Sequence, residues 1–129
     1  MHKVVFNNCY GGFSISLKAI EWLECNSKDE SLLAHIKRCK KNRDWSIARE
    51  QSIALVDQML CYNVSEFFDD KRHHKDLVAV VEALGKDANG ECAELDIAKV
   101  YSKQYRIDDY DGVENVITPN GYDWIFIED

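Results

Sequence analysis

The stretch Lys3-Val4-Val5-Phe6-Asn7-Asn8-Cys9-Tyr10-Gly11-Gly12-Phe13-Ser14-Ile15-Ser16 decides the fold, because a strand-forming run and a helix-forming run meet inside it. Lys3 to Asn7 is short and rich in β-branched and aromatic side chains, which is the pattern of a strand. Beyond Gly11-Gly12, Ser14 or Ser16 can cap a helix, and Leu17, Ile20 and Leu23, with Trp22, recur at helical spacing as far as about Asn26. A strand-to-helix joint therefore opens the chain.

The joint is also the first place to look for a ligand. Two adjacent glycines let the backbone approach a bound group, and a helix N-terminus after them presents N–H donors and positive dipole to a phosphate or carboxylate. Tyr10 can stack on a base. Neither a Gly-Lys-Ser/Thr ending nor Gly-x-Gly-x-x-Gly is present, so no known phosphate loop is spelled out. The commoner role of such glycines is to turn the chain while Tyr10 and Phe13 anchor the helix. Cys9 can be read as a nucleophile activated by the helix end or by His73, or more simply as a buried inert thiol.

Outward from the joint, Leu32, Leu33, Ile36 and Cys39 share one face of a short second helix, and Lys37, Arg38, Lys40, Lys41 and Arg43 crowd its end. A third helix is expected from about Ser46 to Asn63 with Ala48, Leu55, Val56, Met59 and Leu60 buried, continuing after a break into Phe67 and Phe68. Asp69 to Lys75 reads as a charged, solvated connection. In the next helix Leu77, Val80, Val81 and Leu84 form the stripe, Asp76 is a cap or first-turn anion, and Gly85 is the stop. After the Asn89-Gly90 loop, Leu95 to Val100 is a strand. Arg106 to Tyr110 and Val113 to Ile117 flank Asp111-Gly112 as a hairpin, and Asp123 to Ile127 is a last strand.

This order predicts an α+β fold: one domain over residues 1–129, a largely antiparallel sheet, and three to four helices on one face, with 27–66 a helical elaboration. The length suffices for a single core without disulfides. With 46% apolar and 30% charged residues, the chain falls with globular domains rather than with disordered or fibrous ones. No apolar run is long enough for a bilayer, and the N-terminus lacks the pattern of a signal peptide, so a cytoplasmic protein without membrane association is expected. Five scattered cysteines with no Cys-x-x-Cys pair suggest free, buried thiols.

The net charge of −7 argues against general nucleic-acid binding and leaves open a basic protein partner. Within it, the run Lys37 to Arg43 carries five positive charges in seven residues, leaving about −12 elsewhere. That run can meet phosphates or an acidic partner, or can simply complement a helix dipole. Asp69, Asp70, His73 and His74 place carboxylates and imidazoles one helical turn apart, yet no third ligand is evident, so no metal and no cofactor is expected. Asp108, Asp109, Asp111 and Glu114 gather on the hairpin around Tyr110. They can act as acid and base, hold a cation, or face a basic protein, and a solubilising rim is the simplest role.

Three blocks, Asn8-Cys9-Tyr10-Gly11-Gly12-Phe13-Ser14-Ile15-Ser16, Asp76 to Gly85 with Ala88-Asn89-Gly90, and Tyr110-Asp111-Gly112-Val113-Glu114, together resemble a family of small proteins encoded by tailed phages and prophage-bearing bacteria. Family members often enter the Leu-Val helix through an Arg-His-Asp-Pro-like turn, whereas this chain has Arg72-His73-His74-Lys75 and no proline. The resemblance implies a phage or prophage accessory protein and carries no reaction with it.

The resulting expectation is a non-catalytic binding module, used in counter-defence, that captures a host protein or a small anionic nucleotide-type signal. Cys9, Tyr10, Gly11, Gly12, Ser14, Arg72, His73 and Tyr110 are the ligand-binding candidates, and self-association is left open. Two alternatives stand beside it. One is a small enzyme acting on a nucleotide or nucleic acid through Cys9 or the Asp and His residues. The other is an acidic module that occludes a basic host surface.

Overall fold

A computed structural model of the chain describes residues 1–42 and 53–119. Strand β1 (His2–Asn7) is followed by helices α1 (Leu17–Asn26), α2 (Glu30–Lys41) and α3 (Ile53–Ser65), the last running into a 3-10 turn at Glu66–Phe68. Helix α4 (Lys75–Leu84) ends in a second 3-10 turn, Gly85–Ala88, and three strands follow: β2 (Leu95–Val100), β3 (Arg106–Tyr110) and β4 (Val113–Ile117). The fold is α+β. The expected strand at 123–127, Ala48, Arg43 and the start of the third helix lie outside the described residues.

The strands pair antiparallel, as two two-stranded ribbons. In one, His2 lies opposite Val100 and Asn7 opposite Leu95; in the other, Tyr110 lies opposite Val113. Asp111 and Gly112 join β3 to β4 with φ of 52° and 89°, the paired positive angles of a tight hairpin turn. The ribbons stay separate because other groups occupy the second edge of β1. Val5 N–H donates to the Arg72 carbonyl at 2.9 Å, and Asn7 N–H donates to Glu114 Oε1 at 2.8 Å.

Each helix start has a local cause. Ser16 caps α1, its Oγ accepting from Ala19 N–H at 3.1 Å. Asp29 caps α2 by accepting from the N–H groups of Ser31 and Leu32. His74 caps α4 through Nδ1, which accepts from Asp76 N–H at 3.0 Å, so Asp76 is the first-turn anion. With Nδ1 accepting, the imidazole proton sits on Nε2, which reaches Asp29 Oδ2 at 2.7 Å. One hydrogen bond thus ties the cap of α2 to the cap of α4. It is the largest of the causes that hold the Asp29 carboxyl below its ordinary value.

The core gathers Val5 from β1, Ile15, Ile20 and Leu23 around α1, Leu32 and Ile36 from α2, Leu60 and Val64 from α3, Phe68, and Leu77, Val80 and Val81 from α4. Three expectations are corrected. Met59 is 41% exposed, because the buried side of α3 runs through Val56, Leu60 and Val64 and leaves Met59 on its flank. Of the five free cysteines only Cys61 is buried, while Cys25 and Cys92 are exposed and Cys9 and Cys39 lie between. The segment Asp69 to Lys75 is more than a solvated connection, since it supplies the buried Arg72 and the His74 cap. No helix among the described residues is long and apolar enough to cross a membrane.

Candidate functional site

The strand-to-helix joint is knotted to the hairpin turn. At the end of β1, Asn7 is fully buried, and its Nδ2 donates to the carbonyls of Cys9 and Gly112, each at 2.7 Å. Its Oδ1 accepts from Glu94 N–H at 2.8 Å. One amide therefore joins three loops: 8–12, 91–94 and 109–112. Gly112 and Gly11 are required by this contact. A Cβ on Gly112 would sit 2.4 Å from the nitrogen of Gly12, and a Cβ on Gly11 would sit 2.5 Å from Cβ of Cys92. Gly11 serves close packing against Cys92, and the backbone nitrogen of Gly12 lies against Gly112, so the joint is packed onto the hairpin turn.

Beneath the loops lies a buried ion pair. Arg72 Nη1 and Nη2 donate to the two carboxylate oxygens of Glu114, the second at 2.8 Å, and Arg72 Nε donates to the Phe68 carbonyl at 3.1 Å. The side chains are 5% and 4% exposed. The guanidinium carbon also lies 3.7 Å from the centroid of the Phe13 ring, a cation–π contact. Glu114 thus leaves the acidic rim expected on the hairpin, because the nearest charge able to stabilise it in the interior is Arg72. All three guanidinium nitrogens are engaged within the protein.

Above the pair, the rim is aromatic and acidic. Tyr10 is 67% and Tyr110 73% exposed, on backbones fixed by the contacts just described. The three loops carry Glu91, Glu94, Asp109 and Asp111 and no lysine or arginine. Asp109 Oδ1 accepts from Gly112 N–H at 2.8 Å, which secures the turn while the side chain stays on the surface.

Of the residues singled out from the sequence, Cys9, Tyr10, Gly11, Gly12, Arg72 and Tyr110 come together in this knot, and Ser14 and His73 do not. Ser14 packs against Gly90, and its buried Oγ has no hydrogen-bond partner among the described residues. It borders a cleft of about 490 Å³ that also includes Lys18 and Lys86. His73 points to another part of the surface, where Nδ1 lies 2.6 Å from the Tyr105 hydroxyl. Burial pushes the Tyr105 phenol above its ordinary value and raises the neighbouring Asp69 carboxyl. Among the described residues no three His, Cys, Asp or Glu side chains gather in a way that could hold a metal ion.

Sequence reasoning missed Asn7, Cys92 and Tyr105, and it placed Glu114 in the acidic hairpin cluster without its buried partner Arg72. Asn7 had a signal, since a polar residue closing a β-branched strand just before a Gly-Gly turn is well placed to bond loop carbonyls. For the other three the partner is remote in sequence. No known protein family, curated protein or solved structure matches the chain, so the chemistry of the site is carried by its own residues.

Proposed function

We propose that the protein is a non-catalytic binding module, made by a phage or prophage as the sequence resemblance implies, that captures a host protein through a basic surface. One observation carries this reading: Tyr10 and Tyr110 stand exposed on a backbone that is locked underneath. Tyrosine offers large contact area with few rotatable bonds, and a fixed backbone lowers the entropy lost on docking. The surrounding Glu91, Glu94, Asp109 and Asp111 favour a partner rich in Lys and Arg, by steering at a distance and by cation–π contact with the two rings.

The test is fluorescence anisotropy with a labelled nona-arginine peptide as the probe. Three double variants are compared with the parent: Tyr10→Ala/Tyr110→Ala, Asp109→Asn/Asp111→Asn, and Glu21→Gln/Glu30→Gln, which makes the same charge change on the helices. The first two should weaken binding about tenfold or more, and the third should barely alter it. Equal weakening in both charge variants, or none in the tyrosine variant, refutes the reading.

A second reading, a small enzyme acting on a nucleotide or nucleic acid, is favoured by the 2.6 Å contact of His73 with Tyr105, since such a pair can pass a proton. Turnover abolished in His73→Ala with the fold intact supports it. Turnover that survives in both His73→Ala and Cys9→Ala removes it.

A further inference from the structure

The cleft beside His73 has the features of a small-molecule site distinct from the aromatic rim. It lies between the segment after the Glu66–Phe68 turn and the approach to β3, has a volume of about 460 Å³, and is bordered by Asp69, His73, Lys103, Tyr105 and Arg106. Tyr105 and Arg106 also border an adjoining cavity of about 270 Å³ whose far wall includes Ile117 and Pro119. The larger of the two is of the size that small ligands occupy, and the smaller lies just below it.

We propose that this cleft binds a nucleoside monophosphate, with the phosphate held by Lys103, Arg106 and the Tyr105 hydroxyl. Lys103 has no ion pair among the described residues. Arg106 is 69% exposed, approaches Asp108 through Nε at 3.4 Å, and carries two terminal nitrogens on its guanidinium. Those two nitrogens match the fork of a phosphate. The Tyr105 hydroxyl can donate to a phosphate oxygen while its own oxygen accepts from His73 Nδ1, 2.6 Å away. The lining carboxylates fit the rest of such a ligand. Asp70 is already neutralised by Lys71 at 2.9 Å, and Asp69 can accept from a sugar hydroxyl. Ile117 and Pro119 offer apolar surface to a base. Free phosphate shares only part of this chemistry and should bind more weakly.

The experiment is isothermal titration calorimetry of the full chain with AMP, GMP, CMP and UMP, and with adenosine and inorganic phosphate as separate arms. At least one nucleotide should bind. Adenosine and phosphate should each bind about tenfold or more weakly than the best nucleotide, and the Lys103→Ala/Arg106→Ala variant should lose about tenfold or more. Tyr105→Phe, which keeps the ring and removes the hydroxyl, should lose about threefold to tenfold. Circular dichroism establishes that each variant is folded. The proposal is overturned by the absence of heat from all four nucleotides, by phosphate alone binding as tightly as any of them, or by undiminished binding in the double variant. Tyr10→Ala/Tyr110→Ala should leave nucleotide binding unchanged, which separates this site from the protein-binding rim.

Discussion

Arg72 and Glu114, 42 residues apart, form a two-pronged buried ion pair that fastens the segment before α4 to the hairpin and, through Asn7 N–H, to β1. A pair of this kind gains less from its own attraction than it would cost to break, because each charge was removed from water to form it.

Glu114→Ala should therefore destabilise the protein by about 3–5 kcal/mol in urea unfolding, since it leaves a buried guanidinium without its counter-charge. Replacing both partners, as Arg72→Met/Glu114→Leu, should restore part of the loss. It should not restore all of it, because the Phe68 carbonyl loses one of its two donors, keeping Lys71 N–H, and Asn7 N–H loses its acceptor. A double variant weaker than Glu114→Ala alone would show that the pair itself, and not the isolated charge, carries the stability.

Gly112 and Gly12 separate steric contact from backbone strain. Both have φ near 90°, yet a Cβ on Gly112 meets the nitrogens of Gly12 and Gly11 at 2.4 and 2.7 Å, while one on Gly12 meets nothing within 4 Å. Gly12→Ala should bear only the strain of its φ, roughly 1–3 kcal/mol. Gly112→Ala should exceed it by about a further 1–3 kcal/mol, because backbone atoms cannot swing aside as a flexible side chain does. Thermal and urea unfolding of the two variants measures the difference.

These contacts mark where sequence reading reached and where it stopped. β2 and the β3–β4 hairpin are observed at the residues expected, because Asp-Gly turns and alternating strands are written in adjacent residues. Helix α1 ends at Asn26 and α4 stops at Gly85 for the same local reasons. Arg72 and Glu114 each looked like surface charges in charged surroundings, and only their meeting in three dimensions buries them. The link that His74 makes between two helix starts was similarly hidden, because Asp29 lies 45 residues away in sequence. The separation into two ribbons also has a tertiary cause, the Glu114 side chain and the Arg72 carbonyl lying along β1 where a further strand would pair.

The cap-to-cap bond predicts an acid-sensitive term. Asp29 has its folded-state value held below the ordinary 3.8, first by the hydrogen bond from His74 and also by those from Leu32 and Ser31 N–H. Below the ordinary value the unfolded chain takes up the proton first, so this contribution is complete above that value and is lost as pH falls through the folded one. Asp29→Asn, which keeps an acceptor for the cap, should be less stable than the parent at about pH 5, and the gap should narrow as pH falls below the ordinary 3.8. Urea midpoints for the two proteins across that range measure it. A gap that persists unchanged at the acid end would place the effect in packing rather than in charge.

Ser14 and Ser65 offer the opposite comparison, two buried hydroxyls with unlike surroundings. Ser65 Oγ donates to the Cys61 carbonyl at 2.6 Å and accepts from Ile15 N–H at 2.9 Å, so it bridges α3 to the strand-to-helix joint. Ser65→Ala leaves Ile15 N–H buried without an acceptor and should cost about 1–3 kcal/mol. Ser14 Oγ is buried with no protein hydrogen-bond partner among the described residues. Ser14→Ala removes that hydroxyl and keeps the small volume that contact with Gly90 demands. It should be neutral or stabilise the protein by up to about 1 kcal/mol in urea unfolding, whereas Ser14→Val should destabilise it because the added methyl groups press on Gly90. A clear loss of stability in Ser14→Ala would mean that the hydroxyl is bonded in solution, most simply to a water in the adjoining cleft.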